Sequence, residues 1–305
     1  MDRWRRDLKS WPAGLALAFT LSACYVTSHA SDTSQPRFES LNWIGEDVDP
    51  VAHLIQEPAT CLRRGEDAPV KRGELLFKSP FLLGGQAAKS GISCAACHRN
   101  GRGNIDFVLI GISGPPGTAD VTNGFFSKRR ADKVFNPVPI PDLAQPEGRT
   151  RVSRVEAGTL EAFLASQVSE EFEGTLPDPS VVADLAAYIR ALDDRHCGSK
   201  NTKLQTWQDE LRLLLSGAEY IHTNDLGSSN AYVDAMRAVL GRVNARYQSP
   251  SAEPVRTHLI EMSRTLEDYP DTRLSERALL DLEDLLREHE KHSFYRPSVL
   301  RSVLD

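Results

Sequence analysis

Three methionines, five cysteines and the lack of any long apolar run set the first limits on this 305-residue chain. Methionine occurs only at Met1, Met236 and Met262, so the stretch 61–197 contains no thioether. The cysteines include one close pair, Cys94 and Cys97, while Cys24, Cys61 and Cys197 stand alone. With no second pair, a tetrahedral zinc site built on paired thiolates is excluded. The apolar run at 11–23 is too short for a mature bilayer-spanning helix. Positive charge is in deficit, with 36 Lys and Arg against 42 Asp and Glu, and a net charge of −6 argues against general nucleic-acid binding. What is present is ordinary soluble composition, 40% hydrophobic and 26% charged, in a chain long enough for about two domains.

The short apolar run is informative in its own right. Arg3, Arg5, Arg6 and Lys9 precede Leu15, Leu17, Phe19 and Leu21, the pattern of a bacterial export signal. Leu21-Ser22-Ala23-Cys24 resembles a lipobox placed directly at its end, and Ser28-His29-Ala30 offers an ordinary cleavage site further on. The expectation is a lipoprotein signal over 1–23, a lipidated Cys24 and a mature protein held at a membrane in the periplasm. Residues 24–60 then read as a polar, turn-rich linker ending in a short wrap. That compartment permits disulfides.

The chemistry centres on Cys94-Ala95-Ala96-Cys97-His98, the attachment pattern of a c-type haem. Thiols three residues apart face one side of a helical turn and can reach two vinyl groups of one porphyrin. His98 follows as the axial iron ligand. The cofactor expected is haem c, one per chain. A thioredoxin-type redox pair fits less well, because Gly91-Ile92-Ser93 and Arg99-Asn100-Gly101 read as loop rather than as part of a strand-and-helix repeat.

On either side of the motif the apolar periodicity is helical. Val70, Leu75, Leu76 and Phe77 give a short helix with a notch at Gly73. Asp178-Pro179 is a cap and first-turn pair, followed by Val181, Val182, Leu185, Tyr188, Ile189 and Leu192 at helical spacing. A crossing of these two helices would set Gly73 and Phe77 against Leu185 and Tyr188. Cys61 precedes the first helix and Cys197 follows the last, so an approach of the helix ends makes them a natural disulfide, with two free thiols as the alternative. The bridge would stabilise by about 3–5 kcal/mol on the chain-entropy estimate.

Several of these segments together resemble a haem domain of the bacterial cytochrome c peroxidase and MauG-like superfamily. They are Gly73-Glu74-Leu75-Leu76-Phe77, Gly91-Ile92-Ser93 with the haem motif, Asn136-Pro137-Val138-Pro139-Ile140-Pro141-Asp142-Leu143, Thr159-Leu160-Glu161, and the helix through Leu192. The resemblance covers about 65–195 and implies a cytochrome c-like domain over 61–197. The family typically carries two haem domains, whereas this chain has one motif, so electrons would arrive from a periplasmic redox partner. The resemblance also implies a ligand on the far side of the iron, commonly Met. With no Met in the domain, the candidates are His53, Lys128, Lys133, Gln167, water, or Met236 or Met262 from the C-terminal part. Arg99, Arg102, Lys128, Arg129, Arg130, Arg149, Arg151 and Arg154 form a basic rim that could bind propionates or an acidic partner.

Beyond Cys197 four apolar stripes follow. They run from Leu204 to Ala218, Tyr232 to Val243, Val255 to Leu266 and Ala278 to Leu286, with turn signals at Gly227, Pro250 and Pro270. This predicts a small helical bundle over 198–305. Its acidic 261–290 stretch is opposite in sign to the basic rim. His222, His258, His289 and His292 lie there without a metal-ligand spacing. The fold class expected is therefore mainly α, a cytochrome c-like haem domain followed by a helical bundle. The functional expectation is electron transfer through a covalent haem. The alternatives are a peroxidase-like enzyme with an open iron and a haem-based sensor or binding module, so enzymatic activity stays undecided here.

Overall fold

A computed structural model describes residues 37–63, 67–145, 158–197, 202–223 and 226–304, without the side chains of 226–228. The signal segment, Cys24, Arg149, Arg151 and Arg154 lie outside the described residues. The described chain is mainly helical, and residues 35–305 form one compact unit.

The wrap contains more structure than a linker. After a 3₁₀ turn at Glu39–Trp43 comes helix α1, Pro50–Ile55, then strand β1, Gln56–Pro58. Asp49 starts α1 by accepting the Val51 amide at 2.9 Å, with Pro50 in the first turn. Asp-Pro here is a start signal, because Pro lacks an amide proton that the first helical turn would leave unpaired in any case. Trp43 packs into the core beside the Cys94-Cys97 segment, and its carbonyl takes the Val108 amide at 2.9 Å.

Helices α2, Ala68–Phe77, α3, Gly85–Lys89, and α4, Cys94–Cys97, lead into long loops that hold the short ladder of β2, Thr118–Ala119, and β3, Val138–Pro139. Helix α5, Leu160–Ser166, runs into a π turn over Gln167–Glu171, and α6 spans Pro179–Ala191. Asp178 caps α6 by accepting the Ser180 amide, and Val181, Val182, Leu185, Tyr188 and Ile189 are buried. Leu192 has left the helix and bridges to Leu62.

The crossing of α2 over α6 is close. A Cβ on Gly73 would meet the Asp184 carbonyl oxygen and lie 2.7 Å from Tyr188 Cβ, so only glycine permits this approach. Phe77 and Tyr188 stack with ring centroids 5.2 Å apart. Beside the crossing, buried Asp184 takes two hydrogen bonds from Arg72, at 2.6 and 3.0 Å, and one from Tyr232 Oη at 2.6 Å. The negative charge is thereby matched by a guanidinium and a hydroxyl, as a buried carboxylate requires.

The predicted first C-terminal helix begins later than its stripe. Leu204 belongs to strand β4, Thr202–Leu204, which pairs antiparallel with β1 and leaves Leu204 exposed. The helices are α7, Trp207–Thr223, α8, Leu226–Arg246, α9, Glu253–Glu267, α10, Glu276–His289, and a further α11, Pro297–Leu304. Glu210 pairs with Arg242 while Tyr220 stacks on Tyr232 at 4.0 Å, so α7 and α8 run antiparallel. The boundary expected at 197/198 is not a gap in packing. One hydrophobic core runs from Leu75, Leu76 and Tyr188 through Leu214 and Met236 to Leu282. Arg212 donates to Glu74 Oε2 at 2.9 Å, and Arg242 to the Lys78 carbonyl at 3.1 Å. The acidic helices α9 and α10 pack on α8 and α7, respectively.

The two ends of the described chain meet. Phe38, Val51, Leu54, Phe294 and Leu300 form a separate small core, joining α1 to α11. Arg246 is buried among them, donating to the Leu54 carbonyl, the Phe294 carbonyl and Gln205 Oε1, with its guanidinium 5.0 Å from the Phe38 ring centre.

Candidate functional site

Cys94 and Cys97 occupy one helical turn and are half-buried against an apolar wall that includes Ile92, Ala96, Phe107 and Phe126. They are not bonded to each other or to another cysteine. Burial pushes both thiols up to about 12, Cys97 with a second contribution from Cys94. A thiol held protonated is a poor nucleophile, which disfavours a dithiol redox pair.

His98 closes the turn, its amide bonded to the Cys94 carbonyl at 2.9 Å. Its ring lies 6.4 Å from that of Phe77, and Nδ1 is 3.0 Å from the Pro141 carbonyl oxygen. A carbonyl can only accept, so Nδ1 carries the proton and Nε2 keeps the lone pair. Burial lowers His98 to about 4, although the Pro141 carbonyl and Asp142 pull the other way, so the ring is neutral at pH 7. A neutral imidazole with Nε2 free is the ligand form.

Two left-handed residues reverse the chain after the motif, Asn100 at φ 50° and Gly101 at φ 76°. A side chain on Gly101 would run into Leu192. The reversal carries Asn104 back under the motif, where its amide bonds the Cys97 carbonyl at 2.9 Å and its side chain the Ala96 carbonyl at 2.8 Å. It also brings Gly101 against the Leu143 amide, which sets the 141–143 turn beneath His98.

Of the basic rim, Arg99 and Arg102 point inward. Arg99 donates to His53 Nδ1 at 3.1 Å and to the carbonyls of His53 and Gln56 at 2.9 and 2.8 Å. Asn100 adds bonds to Glu57 and the Pro58 carbonyl. Arg102 pairs with Asp142 at 2.6 Å and reaches the disulfide that joins Cys61 to Cys197. Arg130 pairs with buried Glu171, whereas Lys128, Arg129 and Lys133 are exposed.

The far-side candidates are dispersed. His53 is buried in α1 with Nδ1 engaged by Arg99, and among the described residues no hydrogen bond or ring contact joins it to His98. Met236 and Met262 are buried in the C-terminal core. Met236 sits over Gly217 beside Leu75, and Leu75 lies on the face of α2 opposite Gly73 and Phe77. Among the C-terminal histidines, His222 and His258 donate from Nε2 to the carbonyls of Leu274 and Ala278 at 3.0 and 2.8 Å. Among the described residues no group of three His, Cys, Asp or Glu is placed to hold a metal ion, and no helix is long and apolar enough to cross a membrane.

His53 makes stability pH-dependent. Burial, then the Arg99 charge, lowers it to about 4, against 6.5 for the exposed ring. Between those values the unfolded chain takes up a proton that the folded chain does not. Stability contributed above 6.5 is therefore lost as pH falls towards 4, by up to about 3 kcal/mol. In His53→Gln, urea midpoints at pH 7 and 4.5 should lie closer together than in the unsubstituted protein. An unchanged gap would show that His53 does not carry the effect.

The Pro141 carbonyl and the Arg99 clamp were not legible beforehand. A backbone acceptor has no residue signature, and the only cue was the proline run 137–141. No family model, curated protein or solved structure matches the chain.

Proposed function

We propose that this chain is a single-haem c-type cytochrome working in electron transfer, with the haem attached at Cys94 and Cys97 and His98 as axial ligand. The observation that carries the reading is the His98 Nδ1–Pro141 hydrogen bond, because it holds the imidazole in the one tautomer and orientation an axial ligand needs. Two thiols on the preceding turn and an apolar wall beside them fit the same group. The α2–α6 crossing at Gly73 supports a cytochrome c-like domain over 61–197.

When bound, the haem supplies one-electron chemistry. The chain's own part is positional. Cys94 and Cys97 remove the need for a deep retaining pocket, Pro141 orients His98, and the 43–58 wrap, held by Arg99 and Asn100, covers the motif's C-terminal flank. Export with lipidation at Cys24 and a periplasmic redox partner complete the reading.

A second reading, a peroxidase-like enzyme with an open sixth position, is favoured by the placement of the methionines and by the engagement of His53. Absorption and EPR spectra of the mature protein, oxidised and reduced, with and without carbon monoxide and peroxide, separate the two. A low-spin spectrum unmoved by either ligand supports electron transfer. A high-spin signal that binds both, with peroxide turnover, transfers the case to the peroxidase. A protein with no covalent haem overturns both.

A further inference from the structure

The Cys61–Cys197 bridge has an unusual neighbour. Arg102 Nη1 lies 3.1 Å from Cys197 Sγ and 3.4 Å from Cys61 Sγ, while its Nε is held by Asp142 at 2.6 Å. A neutral disulfide is a weak acceptor and gains little from a guanidinium. A thiolate gains much more, because the charge is then matched at contact distance. The arrangement suits the reduced pair better than the oxidised one.

Access is also asymmetric. Cys61 is fully buried, whereas Cys197 is half-buried. Buried Asp193 donates its amide to the Cys61 carbonyl, but its carboxylate is matched by Arg63 and Arg195. Among the described residues Arg102 is thus the cation hydrogen-bonded to the sulfurs, and Asp142 pins it there independently of the bridge.

We propose that Cys61–Cys197 is a thiol–disulfide exchange site that accepts two electrons from a dithiol reductant, with Arg102 stabilising the leaving sulfur. The reductant's first thiolate bonds to Cys197 Sγ. The Cys61–Cys197 bond breaks, and its electron pair leaves on Cys61 beside Arg102. The reductant's second thiol, losing its proton, displaces Cys197, which departs with the second electron pair. The reductant becomes a disulfide, the cysteine pair is reduced, and two protons pass from the reductant to the cysteines and water. The exchange opens a ring spanning 136 residues of sequence, the stretch that contains the proposed haem site. The chemistry itself does not depend on haem.

The test poises the folded protein in mixtures of reduced and oxidised dithiothreitol, traps thiols by alkylation and measures the fraction reduced. The protein should be reduced without denaturant. Arg102→Gln should shift the equilibrium at least tenfold towards the disulfide, equivalent to about 30 mV, and slow reduction comparably. Arg102→Lys, which keeps a cation but loses the fork, should fall between the two and carries the test if the Gln variant does not fold. Arg63→Gln, which removes a nearby charge that does not touch sulfur, should leave the equilibrium in place. A bridge reduced only after denaturation overturns the proposal, as do equal midpoints for Arg102→Gln and the unsubstituted protein or equal shifts for Arg102→Gln and Arg63→Gln.

Discussion

On the proposed haem reading, replacing Cys94 and Cys97 together by Ala should take covalent haem from one per chain to none when the protein is produced in cells that attach c-type haem. The measurement is a haem stain on a denaturing gel together with the intact mass. The loss should be complete rather than graded, because these are the only two thiols on the turn before His98, and Cys61 and Cys197 are already joined. The fold should survive, since alanines keep the turn helical and, among the described residues, no hydrogen bond joins either sulfur to another side chain. Two haems per chain, or covalent haem persisting in the double variant, would sink the single-site reading.

The second large effect is on stability, and its sign depends on place. Gly73→Ala should destabilise by about 3 kcal/mol, because the new Cβ meets the Asp184 backbone and Tyr188 Cβ, which move only if α2 and α6 separate. Gly241→Ala, also in a helix interior, has nothing within 4 Å of its new Cβ and should stabilise by about 0.5–1 kcal/mol through helix propensity alone. Urea unfolding of the two variants reads both. Similar changes at the two positions would mean that the crossing is looser than the geometry requires. Because Phe77 lies against His98 on the same face of α2, Gly73→Ala should also disturb the imidazole's surroundings, whereas Gly241→Ala should not.

The readable parts of this sequence were those in which a short segment carries its own reason. The Cys-x-x-Cys-His turn is one such segment. Asp178-Pro179 with the stripe behind it is another, and α6 follows it to Ala191. Asp49-Pro50 is the same signal in the same order, yet it lies in a stretch that reads as a turn-rich linker, because a six-residue helix has too little periodicity to declare itself. Leu204 failed for the opposite reason. It fits the α7 stripe by spacing, but its backbone is taken by β1, more than a hundred residues earlier in the chain. Charge alone puts Arg99 and Arg102 in a basic rim that could bind propionates or an acidic partner. Charge shows that a cation must find a partner, not which way it faces, and here the partners are His53, Gln56 and Asp142. The core shared across 197/198 has no cue of its own, because the α2 pattern shows that Leu75 and Leu76 are apolar but not which helix covers them.

Arg246 bears on the order in which the molecule can be completed. Its guanidinium satisfies the carbonyl of Leu54 across 192 residues of chain, as well as Gln205 and the Phe294 carbonyl near the other end. Until α8 and the 294–304 stretch have been synthesised, the 37–58 segment lacks the neighbours that bury Phe38, Val51 and Leu54. The cover over the motif's C-terminal flank, held by Arg99 and Asn100, is then a late event. A truncation at 290 should therefore loosen that cover, read as faster hydrogen exchange at the His53 and Gln56 amides than in the 305-residue chain.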